Sequence, residues 1–227
     1  MAVSASKGEK QKVYIFLSEE ADYREKVLAY LSRCLGSKVT MNAISEELNL
    51  SYGHLHSTAY KLHSEGVLKM EQVGNYKLLS INWESALAIA ELARVHVKIA
   101  QEVLVRSKKL EKLQGLVRKL GEHKDVLSIV LFGSQARLEA RKTSDIDLLV
   151  IVDEGSRRSA VDEIKSEVRA FEVREFLKIQ PFIVDVAMFK RMLQSREELN
   201  VGKEALKEGV ILWGYENYWK NVGDAIG

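Results

Sequence analysis

The chain has 227 residues, 46% of them hydrophobic and 29% charged, with a formal net charge of +2. That composition belongs to ordinary globular proteins and excludes a disordered or fibrous chain. The single cysteine, Cys34, excludes a disulfide framework and fits a reducing, cytoplasmic setting.

No apolar run approaches the ~20 residues that span a bilayer, and residues 1–11 have no signal-peptide core, so no membrane association is expected. Residues 1–82 carry 10 Lys+Arg against 9 Asp+Glu, residues 83–125 carry 9 against 6, and residues 126–227 carry 15 against 17. The basic excess is therefore small and central. No segment reaches the charge density of a dedicated nucleic-acid binder.

Residues 1–10 are small and polar and are expected to fray. Val13 to Leu17 is a short β-prone run. Tyr23 to Leu35 predicts a helix with Val27, Leu28, Tyr30, Leu31 and Leu35 as its apolar stripe, ended by Gly36. Thr40 starts a second helix over Met41 to Leu48, and a third runs from about Tyr52 to Glu65 with Leu55, Ala59 and Leu62 inward. Val67 to Gln72, a Val73-Gly74-Asn75 turn and Tyr76 to Ile81 predict a hairpin. Three helices followed by a hairpin predict a winged helix-turn-helix.

The run SYGHLHSTAYKLHSEGVL resembles the recognition helix of winged helix-turn-helix regulators. On that resemblance Tyr52, His54, His56, Ser57 and Lys61 face outward towards a DNA major groove, where they can reach phosphates or base edges. The face holds one fixed cation, however, and phosphate neutralisation carries most non-specific affinity. Dimerisation or a protein contact is therefore the competing reading. His54, His56 and His63 lack the further ligands that a metal site needs.

From Trp83 to Leu120 there is no proline and, before Gly115, no glycine. Ala86, Ala90, Ala93, Val97, Ala100 and Leu104, then Leu110, Leu113, Val117 and Leu120, keep helical spacing. One long helix is predicted, or two joined near Ser107, with a possible dimer seam along the alanines. Lys108, Lys109, Lys112, Arg118 and Lys119 read as a solvated face or as a rim that attracts phosphate. Beyond them the elements alternate. Strands are predicted at Val126 to Phe132, Ile146 to Val152 and Phe182 to Phe189. Helices are predicted from Ser134 to Ala140, from Arg157 to Ile179 and from Glu197 to Lys207, and Val210 to Trp213 adds a last strand. The result is a small α/β (α+β) domain with a mixed sheet.

The richest stretch is SIVLFGSQARLEARKTSDIDLLVIVDE, from Ser128 to Glu154. Asp145 and Asp147, one residue apart at a strand start, share a face because side chains alternate with period two. Two adjacent carboxylates repel unless a cation lies between them, and a divalent metal is the usual answer. Gly133-Ser134 just upstream makes a turn suited to phosphate.

Residues 133–150, GSQARLEARKTSDIDLLV, resemble the signature of DNA polymerase β-type nucleotidyltransferases, in particular the minimal nucleotidyltransferase (MNT) branch. The ending EALKEGVILWG is similar to the close of that branch, and the resemblance covers residues 110–215. Leu138 departs from it, standing where the family commonly has glycine. The resemblance implies transfer of a nucleoside monophosphate from an NTP, above all ATP, to an acceptor hydroxyl, with Mg²⁺ or Mn²⁺ as cofactor.

It also implies site roles. Asp145 and Asp147 would hold metal, and Asp185 on the third strand would complete the acid triad. Gly133, Ser134 and Arg137 would hold the triphosphate, with Arg141 and Lys142 as weaker candidates in the loop. Asp153 shares the alternation but stands at the far strand end. The expected division is a winged helix-turn-helix at 1–82, a helical linker at 83–122 and a nucleotidyltransferase domain at 123–227. Expected partners are an NTP, DNA, a HEPN-type partner protein and a second copy of the chain. A DNA-binding, antitoxin-like regulator that senses nucleotides through the same fold is the alternative.

Overall fold

Helix boundaries follow the caps that the sequence supplies. The computed structural model describes residues 21–141, 143–156, 158–196 and 200–227. The expected frayed start at 1–10, the β-prone run at 13–17, Lys142 and the expected helix starts at Arg157 and Glu197 lie outside the described residues. Helix α1, Tyr23–Leu31, opens on Asp22, whose carboxylate accepts a bond from the Glu25 amide at 2.8 Å. It ends four residues before the expected Leu35, and the left-handed Leu35 (φ 49°) and Gly36 (φ 72°) lie outside helical conformation.

Strand β1, Val39–Thr40, is a short element that the sequence pattern did not reveal. Thr40 then caps α2, Met41–Leu48, and left-handed Asn49 (φ 47°) closes it. Helix α3, Tyr52–Ser64, buries Leu55, Ala59 and Leu62. Strands β2, Leu68–Val73, and β3, Tyr76–Ile81, form the expected hairpin, and β1 pairs with β3 to give a three-stranded antiparallel sheet in the order β1-β3-β2.

The helical region is broken in two. Helix α4, Ala86–Leu104, is capped by Ser85, and α5, Lys108–Gly121, is capped by Ser107, whose hydroxyl accepts from the Leu110 amide at 3.2 Å. A second N-cap inside a helical pattern ends the first helix, because its side chain competes for the amides of the next turn.

The second sheet has the order β6-β5-β4-β7. Strand β4, Val126–Phe132, pairs antiparallel with β5, Ile146–Val152, placing Phe132 opposite Asp147. After α6, Gly133–Ala136, and α7, Arg158–Glu175, strand β6, Ile179–Asp185, returns parallel to β5. The expected strand to Phe189 is cut short. Asp185 instead caps α8, Val186–Gln194, accepting the Met188 amide at 2.6 Å, and a capped turn overrides the β-prone Val186-Ala187. Helix α9, Val201–Glu208, and strand β7, Val210–Trp213, follow. A last helix, α10, Tyr215–Ile226, was not predicted; it buries Tyr218, Trp219 and Val222.

One continuous apolar cluster joins these parts, from Leu28 and Leu55 through Leu92 and Ile99 to Val130, Leu149 and Trp219. Trp219 stacks on Trp83 with centroids 6.2 Å apart and lies 4.7 Å from the His96 ring. Arg33, 2% exposed, donates to the carbonyls of Lys207 at 2.9 Å and Gly209 at 3.3 Å. The first helical unit is thereby tied to the end of α9. Among the described residues no helix is long and apolar enough to cross a membrane.

Candidate active site

The site forms where β4 ends and β5 begins. Phe132 pairs with Asp147, so the next residue, Gly133, turns directly beneath that carboxylate. Gly133 has φ 69°, and a Cβ there would stand 2.4 Å from Asp147 Oδ2. Both conditions demand glycine. Ser134 follows on the four-residue α6, half-buried, and its carbonyl accepts from the Glu139 amide at 3.0 Å. Gln135, which no local pattern singles out, is buried and directs its amide to the carbonyls of Ser144 and Asp145 at 3.4 and 3.5 Å. It holds the loop against the strand.

Asp145 lies just before β5 and pairs with Lys178 Nζ at 2.9 Å. Lys178 reaches it because its own carbonyl accepts from the Ile146 amide at 2.9 Å, which fixes the start of β6 beside the start of β5. That hydrogen bond to Asp145 raises the Lys178 pKa. Lys109, from the start of α5, donates to the Ser144 carbonyl; burial lowers its pKa while the charge of Asp145 opposes that fall. Asp147 is held above the ordinary carboxylate value, first by burial and then by the charges of Asp145 and Glu204, with Arg137 acting the other way. The two aspartates thus share a site in which Asp145 is paired with Lys178 and Asp147 is disfavoured as an anion by burial and like charge.

Arg137 is drawn into a carboxylate cluster. Its Nε donates to Glu139 at 3.2 Å, and its Nη1 donates to Glu204 at 3.0 Å and Glu208 at 2.9 Å. The bond to Glu208, with those to Glu204 and Glu139, raises its pKa above the usual arginine value. Neither glutamate on α9 was legible as part of the site, since about 70 residues separate them from Arg137.

Asp185 is not brought to this place. The parallel register sets Gln180 opposite Asp147 and Asp185 opposite Val152, five residues further along. At about 3.3 Å per residue that is roughly 17 Å, and an odd number of steps turns it to the other face. The expected acid triad is corrected to a pair, with Asp185 employed as a helix cap. On the face of Asp147, β6 offers Phe182, whose ring meets Phe132 edge-on at 5.5 Å. Among the described residues no group of three His, Cys, Asp or Glu side chains is placed to hold a metal ion together.

Asp145 and Asp147 by themselves provide the hard oxygen donors that Mg²⁺ or Mn²⁺ takes, in a place that needs positive charge. Arg141 is exposed in the α6–β5 loop, where its amide donates to the Ser144 hydroxyl at 2.9 Å. Asp153 follows the far end of β5, as expected.

The other expected site residues sit together on α3. Tyr52, His54, His56, Ser57 and Lys61 all lie away from the buried Leu55, Ala59 and Leu62. Tyr52, His56 and Tyr60 form a ladder with centroids 6.2 and 4.4 Å apart. Lys77 of β3 stands over the Tyr60 ring at 4.7 Å. Tyr60 and Lys77 were missed; the i, i+4, i+8 spacing of 52, 56 and 60 was the available signal for Tyr60.

Residues 110–211 match the model of the nucleotidyltransferase domain. The chain is similar to a protein of Methanocaldococcus jannaschii that is provisionally named a protein adenylyltransferase, at 35% identity over 119 residues, 51% of this chain and 76% of the relative. No solved structure matches significantly.

Proposed function

Because the chain belongs to the nucleotidyltransferase-domain family and is a transferase enzyme, we propose that it moves AMP from ATP to a hydroxyl group on a protein acceptor. The observation that carries this reading is the seat of Gly133 under Asp147, which packs the Gly133-Ser134 turn directly against a carboxylate of the aspartate pair. The name of the archaeal relative supports a protein as acceptor.

In the reaction a bond forms between the acceptor oxygen and the α-phosphorus, the α–β phosphoanhydride breaks, and pyrophosphate leaves. Ser134 donates its hydroxyl to the phosphates, and the backbone amides at Gly133 and Ser134 approach them without a side chain in between. Arg137 meets the triphosphate with its guanidinium. Asp145 and Asp147 would hold Mg²⁺ or Mn²⁺, which when bound neutralises charge on the reacting phosphate oxygens. Asp147, set against the Gly133 turn, accepts the hydroxyl proton as the acceptor oxygen attacks.

Residues 1–82 act as a winged helix-turn-helix, 83–122 as a helical linker and 123–227 as the nucleotidyltransferase domain. In a second reading the α3 face binds DNA as part of an antitoxin-like regulator, a homodimer with a HEPN-type partner as acceptor. The exposed Tyr52-His56-Tyr60 ladder beside Lys77 favours a macromolecular contact there. The test incubates the protein with Mg²⁺, α-labelled ATP and candidate acceptor proteins. Label should pass to one acceptor with release of pyrophosphate and be lost in the D145A/D147A double variant. Undiminished transfer by that variant refutes the reading. For DNA, a salt-dependent gel shift insensitive to K61A and H54A removes α3 from the contact.

A further inference from the structure

Helix α9 carries two attachments that meet at its C-terminal turn. Through their side chains Glu204 and Glu208 bind Arg137 at 3.0 and 2.9 Å. At its C-terminus the carbonyls of Lys207 and Gly209 receive the two Nη atoms of Arg33 at 2.9 and 3.3 Å. Arg33 comes from the turn after α1, 174 residues away in sequence from Lys207, and is 2% exposed.

A buried guanidinium is retained at a cost in solvation, and here it faces the carbonyl end of a helix, where positive charge is favoured. The junction has little room to adjust. A Cβ on Gly209 would lie 2.3 Å from the Ala205 carbonyl oxygen and 2.8 Å from Val130 Cγ1. Glu208 feels both arginines, since its charge opposes the fall of the Arg33 pKa and its hydrogen bond raises that of Arg137.

On the phosphate side the same contacts compete with substrate. Two of the three guanidinium nitrogens of Arg137 point to carboxylates, and those carboxylates repel a triphosphate. A nucleotide that takes Arg137 must first break it away from α9.

We propose that α9 is an inhibitory latch in which Glu204 and Glu208 withhold Arg137 from the triphosphate, and that Arg33 is a positioning residue that sets how firmly the latch is held. The proposal rests on the nucleotidyl-transfer reading above. It gives the N-terminal helical unit a route to the site: a partner that shifts α1 relaxes α9 and frees Arg137 for substrate.

The test measures equilibrium binding of Mg²⁺ with α,β-methylene-ATP to the full chain. The surface double variant E204Q/E208Q should bind about fivefold more tightly than wild type, the scale of two half-exposed ion pairs removed. R137A should bind more weakly. R33M should bind about two- to threefold more tightly than wild type, and R33K, which keeps the charge without the fork, should fall between them.

In the E204Q/E208Q background, R33M should lower the melting temperature as before but no longer alter affinity. A merely structural arginine would not produce that loss of effect. If R137A weakens binding while E204Q/E208Q leaves it unchanged or weaker, the latch is refuted and the nucleotide site survives. If no variant, wild type included, binds the analogue, the nucleotide reading itself falls.

Discussion

Replacing Gly133 by alanine should damage the protein twice through one methyl group. Gly133 has φ 69°, where an L-residue costs about 1–2 kcal/mol relative to glycine. The new Cβ would stand 2.4 Å from Asp147 Oδ2, 3.2 Å from its Cγ and 3.5 Å from its Cβ. The carboxylate must swing away by about 1 Å to reach an ordinary contact, adding strain of ~1 kcal/mol. A total near 2 kcal/mol corresponds to a fall of roughly 4–8 °C in melting temperature for a chain of this size. Displacing a reacting carboxylate by that much should cost about 100-fold in turnover. The assay pairs a thermal melt with pyrophosphate release. Gly115→Ala is the control: nothing lies within 4 Å of its added Cβ in α5, and it should gain about 0.5–1 kcal/mol. Wild-type melting and turnover in Gly133→Ala would refute both the backbone and the contact argument.

Asp147→Asn should raise the melting temperature at pH 7 while abolishing transfer, because it removes a charge that burial, Asp145 and Glu204 all disfavour; a lower melting temperature would contradict the charge account. Asp185→Ala should leave turnover within about twofold and cost ~1 kcal/mol of stability through the lost cap on Met188, as read by kinetics and denaturant titration. Burial and then the charge of Arg33 hold the His96 pKa well below 6.5, so the unfolded chain takes up the proton first as pH falls. Stability should therefore decline below about pH 6.5, by up to ~1.4 kcal/mol per unit, and His96→Phe should flatten that slope in pH-dependent melts. Phe176 is 93% exposed with φ 55°, so Phe176→Asn should stabilise by about 0.5–1 kcal/mol; an unchanged or lower melting temperature would mean that the ring has a packing role.

Local signals carried the sequence reading furthest. Thr40 before Met41 and Ser107 before Lys108 mark helix starts, and both hydroxyls accept the expected amides. Gly133, Asp145 and Asp147 were legible because period-two alternation and a turn residue act over a few positions. Asp185 misled for the same reason. A β-prone IVDVAMF run looks like a strand with an acid inside it, and only the cap to Met188 shows that the chain turns there. Lys178, Glu204 and Glu208 meet the site across 33 to 71 residues, through strand register and helix docking that no local pattern encodes. Leu138 was noticed as a departure from glycine, and its φ of 59° shows the left-handed turn that glycine would occupy without strain.

The parallel register of β5 and β6 limits how the acids can share the chemistry. From β6, a third carboxylate beside Asp147 would have to stand at Gln180 or at the position two steps on along the same face. The first is an exposed amide and the second is Phe182, packed on Phe132. The edge of β6 is also closed to a simple strand partner, because Glu172 takes the Ile179 amide at 2.7 Å and Pro181 has none. On the proposed reading, an acceptor would approach over the faces of the two aspartates rather than along the sheet edge. There Asp145 is engaged by Lys178, and Asp147 is held above the ordinary carboxylate value by burial and by the charges of Asp145 and Glu204.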